Sequence, residues 1–209
     1  MRALEFQSTE PCNGVTGVRL AQFLLNAIRS LDGIRNIVDL GCGNGYLARQ
    51  LLAAGYEVIG VDASSTGIAI ANTQLKGNTT GKFFVERIDA SLAKRLSLEG
   101  CDCVVSSDVI EHLYRPADLL ECASGLLAPG GYLVVGTPYH GYLKNLALSL
   151  LDKWDAHHGV DWDGGHIKFF SVKTLTALVQ RNGFEDLSFR FFGRATYLWM
   201  NMLCVARKL

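Results

Sequence analysis

The residues best suited to chemistry lie in two groups, one rich in glycine and the other in acids and histidine. The first group is 39–45, Asp-Leu-Gly-Cys-Gly-Asn-Gly, in which an acid precedes three glycines at alternate positions. Glycine lets a ligand approach the backbone and permits the dihedral angles of a tight turn. The second group is 108–112, Asp-Val-Ile-Glu-His. Carboxylates and an imidazole in one short run suit proton transfer or the binding of a divalent cation.

The glycine run must be positioned by a strand before it and a helix after it. Ile37, Val38 and Leu40 predict a short buried strand, and 46–52 has the composition of a helix. A glycine turn between a strand and a helix N-terminus is suited to hold a cofactor. The third glycine comes one residue earlier than in the dinucleotide fingerprint, and Tyr46 stands where that pattern has Gly or Ala.

A second acid ends the next predicted strand. That strand covers 57–62, and its last residue, Asp62, comes 21 residues after Gly41. An acid at this place can accept hydrogen bonds from both ribose hydroxyls. It therefore predicts a nucleoside without choosing between cofactors. The alternative is that Asp62, with Ser64 and Ser65, caps the following helix.

Helices and strands alternate along most of the chain, which predicts a parallel sheet with right-handed crossovers. The predicted elements are helix 15–31, strand 37–40, helix 46–52, strand 57–62, helix 66–75, strand 83–85, strand 101–107, helix 116–127, strand 132–138 and helix 171–182. Two apolar stretches follow, at 184–192 and 198–207, with no helix between them. A crossover cannot join them, so at least one must run antiparallel.

Composition restricts the class of protein. With 209 residues, 49% of them hydrophobic, the chain suits one folded domain and not a disordered one. Its 20 basic and 20 acidic residues argue against a broad nucleic-acid surface. No segment approaches the roughly 20 apolar residues of a membrane span, and the N-terminus does not resemble a signal peptide. Six cysteines without a C-x-x-C pair suggest reduced core residues and a cytoplasmic location.

Residues 36–138 resemble the class I S-adenosylmethionine-dependent methyltransferases. The D-x-G-x-G-x-G run, the acid after strand two, Glu-His after strand four, Leu-x-Pro-Gly-Gly and a strand ending in Thr-Pro occur in that order. The nearest branch is that of the ubiquinone-biosynthesis O-methyltransferases. The resemblance implies a Rossmann-like fold with a seven-stranded, mostly parallel sheet, an antiparallel last strand and helices on both faces. It also implies S-adenosylmethionine, whose sulfonium and ammonium suit an acid beside the glycines.

The resemblance implies a set of cofactor-binding residues. They are Asp39, Gly41, Cys42, Gly43, Gly45, Asp62, Ala63, Asp89, Ala90 and Ser106. Asp89 is implied to accept a hydrogen bond from the adenine amino group. Without the resemblance it reads as an ordinary turn or N-cap residue. His112 is a candidate base for an acceptor hydroxyl, with Glu111 and His166 as further candidate catalytic residues. The alternative for His112 is a structural role in capping a helix or bonding the backbone.

Asp108, Glu111, His112 and His166 also form a candidate divalent metal site. The acid-x-x-Glu-His pattern resembles the metal motif of small-RNA 2′-O-methyltransferases and of some ubiquinone-pathway enzymes. Asp108 and Glu111 would share one face of a helical turn. Such ligands suit Mg²⁺, Mn²⁺, Zn²⁺ or Fe²⁺. This chain departs from those families by having Asp108 in place of a longer Glu. In the alternative, Glu111 and His112 bond each other and the backbone, and His166 starts the last helix.

The segment 139–166 begins where strand five ends, on the side of the sheet where ligands bind. It contains a predicted helix whose apolar face is formed by Tyr142, Leu143, Leu146, Leu150 and Leu151, followed by a run rich in aromatics and histidines. We interpret it as a lid over a small, aromatic or lipophilic acceptor. It could instead be a helix packed on the body, or touch a membrane surface. A helical segment over 1–35 is implied to pack beside the cofactor.

The sequence therefore predicts a methyltransferase that acts at oxygen on a small molecule. A cofactor-binding protein without catalysis and a nicotinamide-dependent oxidoreductase are the alternatives. Asp39, Tyr46 and the antiparallel tail disfavour the oxidoreductase. The acceptor, the use of a metal and the oligomeric state are left open.

Overall fold

The computed structural model describes residues 6–10, 14–158 and 164–209. The strands are β1 (Asn36–Leu40), β2 (Glu57–Asp62), β3 (Gly81–Val85), β4 (Cys101–Ser107), β5 (Leu127–Pro138), β6 (Phe184–Phe192) and β7 (Asn201–Lys208). The helices are α1 (Gly14–Arg29), α2 (Tyr46–Ala53), α3 (Ser65–Thr73), α4 (Leu92–Leu96), α5 (Ala117–Leu126), α6 (Tyr142–Leu150), α7 (Trp154–His158) and α8 (Val172–Arg181). A short 3-10 helix, Ile110–His112, follows β4.

All seven of these strands form one sheet in the order β3-β2-β1-β4-β5-β7-β6. Strands β1 to β5 are parallel to one another, and β7 runs antiparallel to both β5 and β6. The predicted antiparallel last strand is confirmed. It follows from the short connection between β6 and β7, which leaves no room for a crossover.

The sheet is covered on both faces, which explains why apolar residues of its central strands are buried on both sides. Side chains of β1 alternate between the two layers, so that Ile37 packs with α1, α2 and α3 while Val38 packs with α4, α5 and α8. Each layer contributes fully buried residues, among them Ile28 in α1 and Leu119 in α5. The result is the three-layer arrangement expected from the alternation of elements.

The strand order reverses between β1 and β4, and this reversal creates the cleft in which the site lies. The loop after β1 leads to α2 on one face, and the loop after β4 leads to α5 on the other. The two loops nevertheless touch, because a Cβ added to Gly41 would lie 2.3 Å from Val109 Cγ2. The groups at 39–45 and 108–112 are thus neighbours in space.

Several element boundaries differ from prediction. Helices α4 and α7 were not predicted, and β5 begins at Leu127 instead of Tyr132. Helix α8 begins after a capping box in which Ser171 Oγ accepts from Thr174 N and the Thr174 side chain accepts from Ser171 N. The alternative in which His166 starts the last helix is therefore wrong, because the capping residue lies five positions further along.

Helix α6 is present, but its apolar face is turned away from the body. The residues of the predicted apolar face, Tyr142, Leu143, Leu146, Leu150 and Leu151, are all exposed. The residues of α6 that are buried are Lys144 and Leu148. The alternative in which this helix packs on the body through its leucine face is therefore wrong, since the helix turns Lys144 inward instead. Within the described ranges no helix has the length and apolar character needed to cross a bilayer.

Candidate active site

The glycine turn after β1 is held against the end of β2. Gly41 N and Cys42 N both donate to the carbonyl oxygen of Val61, at 2.7 and 3.1 Å. Gly41 and Gly43 have φ values of 81° and 54°, in the left-handed region that favours glycine. A Cβ at Gly43 would lie 2.7 Å from the Phe6 ring. A larger residue at Gly41 or Gly43 would therefore be strained and would also collide with a neighbour.

Asp39 lies at the foot of this turn and is 2% exposed. Its Oδ2 accepts no hydrogen bond from any described residue. Burial, together with repulsion from Asp62, raises the pKa of Asp39 to about 7. A buried carboxyl oxygen without a partner beside a glycine turn fits the cationic ammonium of S-adenosylmethionine.

Asp62 at the end of β2 is fastened to the turn. Its Oδ2 accepts from Gly43 N at 2.8 Å, and its Oδ1 accepts from Ser64 N at 2.7 Å. Burial raises the pKa of Asp62 despite these bonds. The N-cap of α3 is Ser64, whose Oγ accepts from Gly67 N, so Asp62 is not itself the cap. Ala63 follows Asp62 at the rim, and Cys42 is buried in the turn.

Asp89 and Ala90 lie in the loop after β3. Asp89 Oδ1 accepts from Arg95 Nη1 at 2.7 Å, from Ser91 Oγ at 2.6 Å and from Ser91 N at 2.8 Å. The bonds to Arg95 and then to Ser91 lower the pKa of Asp89 to about 2. The carboxylate is therefore ionised at neutral pH, so both of its oxygens can only accept hydrogen bonds.

Ser106 is directed at the main chain. Its buried hydroxyl donates to the carbonyl oxygen of Leu40 at 2.7 Å. This bond ties the end of β4 to the end of β1 at the point where the strand order reverses.

An N-terminal strap, defined here as residues 6–10, lies over the glycine turn and was not predicted. Asn44 Nδ2 donates to the carbonyl oxygens of Ser8 and Glu10, at 2.7 and 2.6 Å. Arg49 Nη2 donates to the carbonyl oxygen of Thr9 at 2.5 Å. Phe6 N donates to Thr66 Oγ1 of α3 at 3.0 Å. The strap thereby joins the glycine turn, α2 and α3.

Asp108 follows β4 and is not part of a helical turn. Its φ is 55°, and its N–H donates to the Gly136 carbonyl oxygen at 3.0 Å. Asn201 Nδ2 donates to its Oδ1 at 2.8 Å. Burial raises the pKa of Asp108 to about 6. The expectation that helical spacing aligns Asp108 with Glu111 is wrong, because the 3-10 helix begins only at Ile110.

The Glu111 side chain is 1% exposed, and its two carboxyl oxygens have different surroundings. Thr137 Oγ1 donates to its Oε2 at 2.9 Å. Its Oε1 accepts no hydrogen bond from the described residues and lies 3.9 Å from His166 Nε2. Burial, and then the charge of Asp108, raise the pKa of Glu111 well above its usual value.

His112 and His166 meet edge to face, with ring centroids 4.8 Å apart. His112 Nδ1 lies 3.2 Å from the Gly165 carbonyl oxygen, which can only accept, so we assign the proton to Nδ1. Nε2 of His112 then carries the lone pair. Burial, and then the charge of His112, lower the pKa of His166 to about 4.

Three of the four predicted metal ligands come together. Potential ligand atoms of Glu111, His112 and His166 all lie within 4.8 Å of one another. Asp108 lies outside this group. The main chain reinforces the cluster, because Ile167 N and Lys168 N both donate to the Glu111 carbonyl oxygen at 3.0 Å.

The first part of the segment 139–166 is bonded to the main chain next to the carboxyl end of β5. His140 N donates to the Phe170 carbonyl oxygen at 2.9 Å, and Lys144 Nζ donates to that of Tyr139 at 2.7 Å. The rings of His140, His157 and His158 are 4.9 to 6.0 Å apart. Residues 159–163, which include Trp162 and Asp163 of the predicted lid, lie outside the described residues.

Aromatic side chains line the adjoining edge of the sheet. Phe191 and Trp199 stack with ring centroids 4.0 Å apart. The ring of Tyr139 meets both of them edge to face, at 5.6 and 5.2 Å. A cavity of about 310 Å³ also exists, but at the amino ends of the strands, where none of the predicted site residues lies.

Comparison with known proteins gives matches in both sequence and structure. Residues 16–188 match the family described as "Methyltransferase domain". A ubiquinone biosynthesis O-methyltransferase of Cereibacter sphaeroides is 28% identical over 182 residues, which cover 84% of this chain and 70% of that protein. A methyltransferase structure from Archaeoglobus fulgidus aligns with a TM-score of 0.70 and 19% identity, over 94% of this chain and 96% of that one.

A third match carries a bound ligand. The magnesium protoporphyrin IX methyltransferase of Synechocystis, solved with S-adenosylhomocysteine, aligns with a TM-score of 0.66 and 19% identity. The alignment covers 93% of this chain and 85% of that one. At such identities the structural matches establish the fold.

Proposed function

This chain belongs to the methyltransferase-domain family and is an S-adenosylmethionine-dependent methyltransferase, and we propose that it methylates a hydroxyl group of a small molecule. The acceptor class is supported by the ubiquinone biosynthesis O-methyltransferase relatives and by the imidazole at the end of β4. We place the protein in the cytoplasm, acting as a single domain over 1–209, and expect no nucleic-acid substrate.

The cofactor would be held at the cleft between β1 and β4. When bound, S-adenosylmethionine supplies a methyl carbon activated by its sulfonium leaving group. The proposed pocket consists of Asp39, Gly41, Cys42, Gly43, Gly45, Asp62, Ala63, Asp89, Ala90 and Ser106. Asp39 would bind the ammonium, Asp62 the ribose hydroxyls and Asp89 the adenine amino group. Methyl transfer needs alignment above all, so the fixed positions of these groups carry much of the catalysis.

His112 would accept the proton of the acceptor hydroxyl at Nε2. The observation that carries this assignment is the contact of its Nδ1 with the Gly165 carbonyl oxygen at 3.2 Å. That contact favours the tautomer with the proton on Nδ1, in which Nε2 is the basic nitrogen. Glu111 and His166 would position the acceptor oxygen beside it.

The test is turnover with a panel of phenols, amines and carbon acids, followed as release of S-adenosylhomocysteine. Phenols should be methylated, and His112→Gln should lower kcat by about 10²- to 10⁴-fold while cofactor affinity is kept. Tyr114→Phe is the control, because Tyr114 lies on the same loop and is exposed. Methylation of amines alone, or full turnover by His112→Gln, would overturn the proposal.

A divalent cation held by Glu111, His112 and His166 is a second proposal for the same site. It is favoured by Glu111 Oε1, a buried carboxyl oxygen that has no hydrogen-bond partner among the described residues. Such a cation would lower the pKa of the acceptor hydroxyl. Elemental analysis and thermal shifts with Mg²⁺, Mn²⁺, Zn²⁺ and Fe²⁺ test it. A shift that Glu111→Gln abolishes would support the site. Full turnover in excess chelator, with no bound metal, would end the proposal.

The segment 139–166 would close over the acceptor as a lid. Its position at the carboxyl end of β5 supports this, as does the adjoining group of Tyr139, Phe191 and Trp199. These rings suit an aromatic or lipophilic acceptor.

A further inference from the structure

We infer that the acceptor carries an anionic group, a carboxylate or a phosphate ester, which Lys144 binds from the inner face of α6. The inference rests on the proposed function, because it takes 139–166 to cover the acceptor. It adds a substrate class to a site that is otherwise defined only by its hydroxyl chemistry.

The rotation of α6 is the first argument. Lys144 is 3% exposed, whereas Leu143, Leu146 and Leu150 on the same helix are 49%, 40% and 77% exposed. Helices of globular proteins normally turn their apolar face inward, and lysine is almost never fully buried unless it is paired. Here the ammonium takes the inward position at the expense of the leucines. Such an arrangement is expected where the buried charge serves a ligand.

The hydrogen bonds of Lys144 are the second argument. An ammonium group has three donors, and Nζ donates to the Tyr139 carbonyl oxygen at 2.7 Å. None of the ion pairs found among the described residues includes Lys144. A buried charge without an ionic partner is costly, and an anion would both offset that cost and accept the remaining hydrogen bonds.

The charges around Lys144 are the third argument. The groups that influence it or that it influences are Arg194, His140, His157, His158 and His166, and none of them is acidic. Burial, followed by the Lys144 charge, lowers the pKa of His140 to about 3 and that of His157 to about 4. The imidazoles are therefore neutral at pH 7, and among the described residues no acidic group is found that compensates the positive charge of Lys144.

The location of Nζ is the fourth argument. Tyr139, which accepts its hydrogen bond, directly follows β5, and Thr137, which holds Glu111, lies two residues earlier. His166 is part of the Glu111–His112–His166 cluster and is within electrostatic reach of Lys144. An acceptor whose hydroxyl meets His112 can therefore direct a second, anionic group toward Lys144.

The experiment is calorimetry on the complex with saturating S-adenosylhomocysteine. The probes are benzoate, phenyl phosphate and the neutral benzamide, which share one ring and differ in charge. At least one anion should bind about tenfold or more tightly than benzamide. Preference for benzoate identifies a carboxylate, and preference for phenyl phosphate identifies a phosphate ester. Equal binding of benzamide, or no binding of either anion, would overturn the inference.

Two variants assign the effect to Lys144. Lys144→Gln keeps a donor for the Tyr139 carbonyl oxygen but removes the charge, and Lys144→Met removes both. Each should lower anion affinity by about 10- to 100-fold and leave benzamide binding unchanged. Lys153→Gln is the matched control, since Lys153 is exposed on the same segment.

The proposed function and the role of Lys144 would be contradicted by different results. If the wild-type protein does not bind S-adenosylhomocysteine, the proposed function is contradicted. Cofactor binding with an anion preference that survives in Lys144→Gln would contradict only the role of Lys144. If Lys144→Met does not fold, Lys144→Gln and the wild-type comparison of benzoate with benzamide still decide the question.

Discussion

Thr137 Oγ1 donates to Glu111 Oε2 at 2.9 Å, and this bond leaves Oε1 as the oxygen that lies 3.9 Å from His166 Nε2. One hydroxyl on β5 thus decides which oxygen of a buried carboxyl group serves the site. Thr137 is itself fully buried and does not depend on solvent for its orientation. It is a positioning residue, since it acts through Glu111.

Replacing Thr137 with Val keeps the shape of the side chain and removes the donor. We expect kcat to fall about tenfold or more, and unfolding free energy to fall by about 1–3 kcal/mol because a buried polar atom loses its partner. Thr137→Ser should restore both quantities in large part. Steady-state kinetics and denaturant unfolding provide the measurement. Equal kcat values for the Val and Ser variants would contradict the role.

The cofactor affinity should depend on pH through Asp39. Its pKa is about 7 in the free protein because of burial and then Asp62, and an ammonium ligand requires the ionised form. Below pH 7 a proton must leave on binding, so affinity should fall by up to about tenfold per pH unit. In Asp39→Asn this slope should be reduced. Calorimetry in buffers of different ionisation enthalpy measures the proton release directly.

The free energy of unfolding should also depend on pH through Asp39, but it should fall as the pH rises, whereas cofactor affinity should increase. The pKa of Asp39 is higher in the folded protein than the ordinary value of 3.8, so the folded state binds the proton more tightly. Its stabilising contribution is complete below about pH 4 and is lost as the pH rises to 7. Across this pH window, the thermal unfolding temperature of the Asp39→Asn variant should change less than that of the wild-type protein. An identical profile in both proteins would show that Asp39 is not protonated in the fold.

Asn44 should couple the strap to cofactor binding. Asn44→Asp replaces the donor to the Ser8 and Glu10 carbonyl oxygens with a carboxylate, which repels both. Residues 6–10 should then lose protection in hydrogen exchange, and affinity for S-adenosylhomocysteine should fall by about tenfold, since Phe6 no longer packs on Gly43. Asn72→Asp on the exposed side of α3 is the control. Unchanged affinity with a released strap would limit the strap to a structural role.

The lid should become ordered when both ligands bind. Hydrogen exchange over 139–158 and 164–166 should slow in the presence of S-adenosylhomocysteine and an acceptor, compared with the empty protein. A segment in α5, Ala117–Leu126, serves as the internal reference, because it is packed in the core in either state. Equal protection of the lid in both states would indicate a fixed wall.

The central sheet was predictable because its signals are local. Strands β2 and β4 have the predicted bounds, since apolar runs flanked by glycine and acid residues specify them. The orientation of α6 was not predictable in this way. Periodicity shows that Leu143, Leu146 and Leu150 share a face, but it does not show which face turns inward, and in the structure the inward position is taken by Lys144, bonded to the Tyr139 carbonyl oxygen.

The candidate site was likewise predictable only in part. The acids and glycines at the ends of β1 and β2 were proposed from residue type and spacing together with the family resemblance. Asp108 was placed on a helical turn because spacing assumes regular dihedral angles, whereas its contacts with Gly136 and Asn201 hold it at a φ of 55°. The strap escaped prediction for a related reason. Its partners, Asn44 and Arg49, are more than 30 residues away, and no local pattern marks them.

Ile167 N and Lys168 N both bond to the Glu111 carbonyl oxygen, so the end of the proposed lid is joined to the loop that carries His112. Within the stretch 164–168, the Gly165 carbonyl oxygen accepts a hydrogen bond from His112 Nδ1. If the stretch lifted away, the imidazole would lose the group that keeps its proton on Nδ1, and the proton could then lie on either ring nitrogen. With the proposed lid, an acceptor would enter while the tautomer of His112 is not fixed, and closure would fix it. The rate of proton removal would then report on lid closure, with no separate signal for either event.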